Sequence, residues 1–225
     1  WRDQHVYQDN GKPTILGDCI LLIISIIINS LGNALTVSLN LGSALWTASA
    51  VNMSHLFHMN LGNILLLEGI AVILANAVLL REIDWHRMLG NILFMVPFSY
   101  LVSGIAQLLT VFHIQHLSLV PSVILDIVGV MMIGCGISIY QRINLILHPN
   151  DDLMQILRFK FLHGNAVTAS LTAFITPITI IAICFLIQRH IWAVNIGTVV
   201  ALLFQGTFIA LSDRYVFRKL KHQRL

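Results

Sequence analysis

Long apolar runs, each close to 20 residues and separated by short polar segments, constrain this chain more than any other feature. A helix rises about 1.5 Å per residue, so such a run crosses a hydrocarbon core roughly 30 Å thick. Six are present, at 15–39, 61–80, 88–111, 119–140, 166–187 and 191–212. Backbone in lipid has no water to bond and must satisfy its own N–H and C=O groups; runs this long and apolar do so as helices, not barrel strands. With 57% hydrophobic and 10% charged residues among 225, little remains from which to build a soluble catalytic domain. The expectation is an all-α integral membrane protein with six transmembrane helices in contact with a lipid bilayer. Pro97 and Pro177 fall inside the third and fifth runs and predict kinks there.

The stretch LGSALWTASAVN at 41–52 is too short and too polar to be another span. Basic residues decide its status. Six spans put Arg2, Lys12, Arg81, Arg87, Arg142, Arg158, Lys160, Arg214, Arg218, Lys219, Lys221 and Arg224 on one side and leave only Arg189 on the other. Such a bias assigns the basic side, with both termini, to the cytoplasm. Were residues 44–57 to cross as well, every later loop would change sides and the bias would disappear. A short non-spanning helix is expected instead, since Trp46, Ala50, Met53 and Phe57 form one apolar stripe at helical spacing. It either lies in the interface or dips in and returns. In the second case the non-helical backbone at 41–44 must be satisfied by protein or trapped water.

The chain also resembles itself. A shift of 104 residues superimposes Gly32 on Gly136, Asn40 on Asn144, Trp46 on Asn150 and Thr47 on Asp151. Shifts of 102 and 107 then match Gly62-Asn63 with Gly164-Asn165, Trp85 with Trp192 and Gly90 with Gly197. Each half reads as span, short amphipathic helix, span, span. Three crossings is an odd number, so the second half is expected upside down, its short helix near 151–161 facing the cytoplasm. The resulting division is an N-terminal cytoplasmic segment (1–14), a first membrane repeat (15–112), an inverted second repeat (113–213) and a basic cytoplasmic tail (214–225). Inverted repeats with broken or re-entrant helices are a recurrent plan of secondary transporters, whose sites lie near the midplane.

The stretch LGSALWTA at 41–48, preceded by LGNALTV at 31–37, is similar to the G-[TS]-S-P-W-D-x-L signature of the YczE/YyaS/YitT type of bacterial membrane protein. Pro149, Asn150, Asp151 and Leu153 resemble that family's second copy, P-R-D-G-L. Leu45 and Thr47 stand where the family has proline and aspartate, and Asn150 where it commonly has arginine. The resemblance implies a polytopic protein of the bacterial cytoplasmic (inner) membrane and no particular substrate.

Helix N-termini present unpaired N–H groups and partial positive charge. Asn40, Ser43, Trp46 and Thr47 near one such end, and Asn144, Asn150 and Asp151 near the other, are therefore the candidate substrate-binding residues; simple helix capping is the competing account. Ionisable groups inside spans are the second signal, because even low estimates charge a few kcal/mol for them at the bilayer centre. Glu68 and Asp126 each lie seven residues into a span from the outer side, at one depth, and are the candidates for coupling an ion or proton. Asn29, Asn33, Asn63, Asn76, Gln107, Asn165, Asn195 and Gln205 add amides to the spans, as a polar path or as interhelical hydrogen bonds. Arg142 is expected to snorkel to the cytoplasmic interface. His55, His58, His113 and His116 are read as what an outer loop carries when lysine and arginine are excluded, not as a metal site.

No H-E-x-x-H, G-x-S-x-G, phosphate loop or paired cysteine occurs, so neither an enzyme nor a cofactor is expected. The basic tail is better explained by anionic lipid than by nucleic acid. The reading that follows is a transporter of a small molecule or ion by alternating access, with a homo-oligomer allowed. The rival is a membrane scaffold or assembly partner that transports nothing.

Overall fold

The computed structural model describes residues 14–218 and 220. The expected N-terminal segment, apart from residue 14, and half of the tail, residues 219 and 221–225, therefore lie outside the described residues. Among the described residues all regular structure is helical: α1 (Ile15–Leu39), α2 (Leu45–Phe57), α3 (Leu61–Leu80), α4 (Trp85–Val111), α5 (Leu119–Ile143), α6 (Pro149–Ile156), α7 (Ala166–Gln188) and α8 (Ile196–Tyr215). Six of these are long and apolar enough to cross a membrane. The molecule is an integral membrane protein.

Capping residues set the boundaries. Side chains of Thr14, Asn60, Asp84 and Asn165 accept the first free N–H groups of α1, α3, α4 and α7. Asn195 and Thr198 form a reciprocal capping box on α8. That box corrects the sixth span, which begins at Ile196 and not at 191, because residues 189–195 turn first, with Arg189 and Ala193 at positive φ. Asp84 likewise starts the third span at Trp85, three residues before 88. The second short helix begins at Pro149, before 151, and runs on as a π-helical turn over Leu157–Phe161. Both Pro97 and Pro177 are carried inside continuous helices.

At the centre α1 packs against α5, and small residues make this possible. An added Cβ on Gly32 would lie 2.6 Å from the carbonyl oxygen of Gly129, and one on Gly136 would lie 2.7 Å from Asn29 Cβ. Gly129 in turn faces Thr36. Rising numbers on α1 meet falling numbers on α5, so the two helices are antiparallel. That orientation needs an odd number of crossings from α1 up to α5, which α1, α3 and α4 supply. At 13 residues α2 is about 20 Å long and adds none.

Around this pair, α4 packs on α1 and α3, and α8 on α5. The short helices bridge: α2 lies against α7 and α3, α6 against α3 and α7. Leu22, Ile26, Phe94, Phe98, Val102, Ile133 and Ile137 fill the core. Large apolar side chains such as Ile23, Leu74, Leu93, Ile124, Leu171 and Leu203 face outward, as lipid-facing surface does.

Candidate functional site

The N-terminal turns of α2 and α6 open onto one cavity of about 80 Å³. Trp46 and Thr47 line it from α2, Asn150 and Asp151 from α6, Asn29 and Asn33 from α1, Glu68 from α3 and Gln205 from α8. Tyr140 and His148 complete its polar wall. No lysine or arginine lines it among the described residues.

Hydrogen bonds hold the wall in place. The Thr47 hydroxyl donates to Asn33 Oδ1 at 2.6 Å, and Asn33 Nδ2 donates to Asn29 Oδ1 at 2.7 Å. The Ser49 hydroxyl donates to a Glu68 carboxylate oxygen. Opposite, the Tyr140 hydroxyl donates to Asp151 Oδ2. Burial raises the Asp151 carboxyl to about 6; the Tyr140 bond pulls it down, and nearby Asp152 pushes it further up.

His148 is the N-cap of α6. Its Nδ1 accepts the Asn150 N–H at 3.3 Å, so the proton sits on Nε2 and the ring is neutral. Phe94 and Phe98 meet the imidazole edge-on, at centroid distances of 5.4 and 4.9 Å. Burial in this setting pushes its pKa down to about 3. By contrast, α2 has no side-chain cap at its N-terminus, which ends on Ala44 at the cavity. The side-chain oxygen of Asn150 has no hydrogen-bond partner.

A latch secures each short helix. At the α2 end, Asn52 Nδ2 donates to the Trp192 carbonyl at 2.8 Å, and Asn52 Oδ1 accepts the Trp192 N–H at 3.0 Å. The linker before α2 is bonded to the α7–α8 loop through Ser43 N to Ala193 O at 3.0 Å and Gly197 N to Leu41 O at 2.8 Å. Protein thus satisfies the Ser43 N–H and the Leu41 carbonyl of this non-helical backbone. Gly42 has φ of 125°, and a Cβ there would lie 2.3 Å from Thr198 N, so only glycine fits. At the α6 end, buried Asp152 accepts from Arg87 Nε at 2.9 Å and Asn91 Nδ2 at 2.9 Å, while Asn76 Nδ2 donates to the Pro149 carbonyl at 3.1 Å.

Of the residues expected from sequence, Trp46, Thr47, Asn150, Asp151 and Glu68 are brought together at the cavity. Asn40, Ser43 and Asn144 are not. Asn40 closes α1 in the left-handed region and its Oδ1 accepts the Ala193 N–H; Ser43 bonds Ala193; Asn144 closes α5 and lines a separate hollow of about 450 Å³ near Arg87 and Lys160. Capping by Ser43, Thr47, Asn150 or Asp151 is also not what is found, since Ala44 and His148 hold the N-cap positions. Asp126 lies apart from Glu68, packed against Gly197, with one carboxylate oxygen unbonded. Arg142 does not snorkel. It is buried, donates to the carbonyls of Ser138, Val216, Phe217 and Leu220, and pairs with Asp213 at 3.3 Å. His55 stacks on Trp192 at 4.2 Å, held below the ordinary histidine range by burial first and then by His190 and His58, while His113 faces His116 at 6.0 Å.

Sequence reasoning missed His148, Tyr140, Ser49 and the Arg87–Asp152 pair. Asp152 beside Asp151 was a visible signal, because two adjacent acids on a short helix inside an apolar bundle call for a cation. Its partner stands 65 residues away in sequence, and only packing identifies it.

No curated protein and no solved structure matches the chain. The pattern of a family of unknown function, DUF6198, matches residues 16–214, which takes in nearly all of α1 through α8. The chain belongs to that family.

Proposed function

We propose that the protein is a non-enzymatic transporter of a small solute, working by alternating access around the central cavity between two inverted halves. The carrying observation is that both short helices aim their N-terminal turns into one cavity, where polar side chains are set among apolar ones such as Leu65, Met95 and Ile133, and are latched at opposite ends of the bundle. Releasing the Asn52–Trp192 latch would open the cavity at the α2 end, and releasing the Arg87–Asp152 latch would open it at the α6 end.

Corresponding contacts support the inverted arrangement. The 104-residue shift carries Asn40 to Asn144, both left-handed helix ends, and the N-cap Ala44 to the N-cap His148. It carries Asn29 to Ile133 and Gly32 to Gly136, so the Gly136–Asn29 contact has its counterpart in Gly32–Ile133. It also carries Gly42 to Ile146; a Cβ added on Gly197 would lie 2.9 Å from the Gly42 carbonyl oxygen, and one on Gly90, its 107-residue counterpart, 2.8 Å from Ile146 Cγ2. Packing pairs correspond as well: α1–α4 with α5–α8, α2–α7 with α6–α3, and α2–α3 with α6–α7. In this reading α2 and α6 are re-entrant, since Thr47 bonds Asn33 about 10 Å below the end of α1.

Two carboxylates and no basic residue in the lining favour a cationic or hydrogen-bond-donating solute. A dry cavity of about 150 Å³ admits benzene, so the present volume suits a solute of a few heavy atoms. The basic residues of the α6 end favour placing it on the cytoplasmic side, and the two signature copies are what supports a relation to the YczE/YyaS/YitT type and a bacterial inner membrane in this reading. The test is a thermal-shift screen of the purified protein against small amines, amino acids and metal ions, repeated with Glu68→Gln and Asp151→Asn. The reading expects a stabilising solute whose effect is lost in at least one variant. Stabilisation that survives both would refute the site.

A further inference from the structure

The halves differ at one packed face. Helix α3 packs along α4, but α7 rests on α2 and α6 while α8 rests on α5, and a cleft of about 340 Å³ lies between α7 and α8. Its floor is Trp46, Asn150, Asp151 and Gln205, the same side chains that line the central cavity. Its walls are mainly apolar, with Phe174 from α7 and Ala201 and Ile209 from α8, interrupted by the hydroxyl residues Ser170 and Thr198 and by Gln141. Leu202 and Leu203, also on the cleft, are 49% and 65% exposed on the lipid-facing surface.

A polar floor under apolar walls narrows the occupant. A second copy of this chain pressing an apolar helix into the cleft would leave the unpartnered Asn150 oxygen without a donor, which costs about 1–3 kcal/mol. A fully hydrated ion would have to approach between leucines facing hydrocarbon with no apolar part of its own to offset the cost of charge there. An amphiphile meets both demands, its polar end donating to Asn150 and Asp151 and its apolar tail lying between α7 and α8. The volume is in the range of sites that hold organic ligands, and the absence of lysine and arginine from the lining among the described residues selects an ammonium over a carboxylate.

We propose that the solute is a cationic amphiphile, a primary amine on a short alkyl or aryl tail, whose ammonium end reaches the central cavity sideways from the bilayer through the α7–α8 cleft while its tail stays in the cleft. This rests on the reading of the central cavity as a solute site and names the substrate class and route. Gly206 supplies the test, because an added Cβ there meets nothing within 4 Å although the residue lines the cleft; Gly104 on α4 is equally open and does not. The protein in nanodiscs is photolysed with an alkylamine bearing a diazirine at the tail end, and labelled residues are mapped by mass spectrometry. Labels are expected on Phe174 and residues 201–209, competed at least tenfold better by hexylamine than by methylamine. Gly206→Trp should cut them fivefold or more while Gly104→Trp leaves them unchanged. Labels spread evenly over all lipid-facing helices and indifferent to hexylamine would overturn the proposal. So would a Gly206→Trp protein that labels normally but passes from dimer to monomer, which would give the cleft to a second copy. If amines stabilise the protein through Asp151 yet Gly206→Trp changes nothing, the sideways route fails and the central site stands; if no solute stabilises it, the central site itself fails.

Discussion

His148 and Asp151 share one cavity wall and respond to acid in opposite directions. The histidine is held neutral in the fold, with a pKa near 3 against 6.5 in the unfolded chain, so its contribution is complete above 6.5 and is lost as the pH falls below that value. The aspartic acid is raised from 3.8 to about 6, so its contribution is complete below 3.8 and is lost as the pH rises through 6. Between pH 6 and 4 the two offset one another in the natural protein. Asp151→Asn removes one of them, and its stability should fall by about 3 kcal/mol from pH 6.5 to 4. His148→Asn, which keeps a capping side chain, should instead gain about 3 kcal/mol over the same descent. Thermal melting of both variants in micelles, followed by circular dichroism, checks the signs; two curves parallel to that of the natural protein would contradict this account. At this scale the sequence was half legible. Glu68 stood out, with Asp126, as a charge inside an apolar span, although Asp126 does not line the cavity, and Trp46, Thr47, Asn150 and Asp151 stood out through their repeated positions. Tyr140 and His148 carry no charge in the fold, and their importance comes from burial and partners, which no local pattern encodes.

Among the elements, the α6 latch and the α1–α5 seam make the firmest predictions. Arg87→Ala leaves the buried Asp152 carboxylate with only amide donors and should cost about 3 kcal/mol in a melting experiment. The double variant Arg87→Gln with Asp152→Asn should recover part of that loss, because no uncompensated charge is left inside. At the seam, Gly32→Val drives a branched side chain against the Gly129 backbone and should lower stability by about 2 kcal/mol or more, whereas Gly104→Val, in open space, should change it by less than about 0.5. Equal effects at the two glycines would deny that α1 and α5 touch through their backbones. The lengths of α1 and α3 were readable to the residue, since their apolar runs end on Asn40 and Arg81 in left-handed conformation. The start of α8 was not, because Ile191 to Val194 is apolar yet serves as the loop against which the α1–α2 linker is bonded.

For the molecule as a whole, the drifting self-similarity in sequence survives where geometry demands it, at glycines crowded by backbone and at residues that turn out of α1 and α5. It fades along α7 and α8, where the lipid-facing surface asks only for apolarity. The α7–α8 cleft had no sequence signal at all, since an unfilled space leaves the residues around it apolar either way. Alternating access itself is tested most directly by a single cysteine at position 150, after Cys19, Cys135 and Cys184 are replaced by serine. A membrane-impermeant thiol reagent is applied to sealed vesicles of each orientation. The account predicts that Asn150→Cys is modified from both faces of the membrane, and labelling from one face only, or from neither, would contradict it.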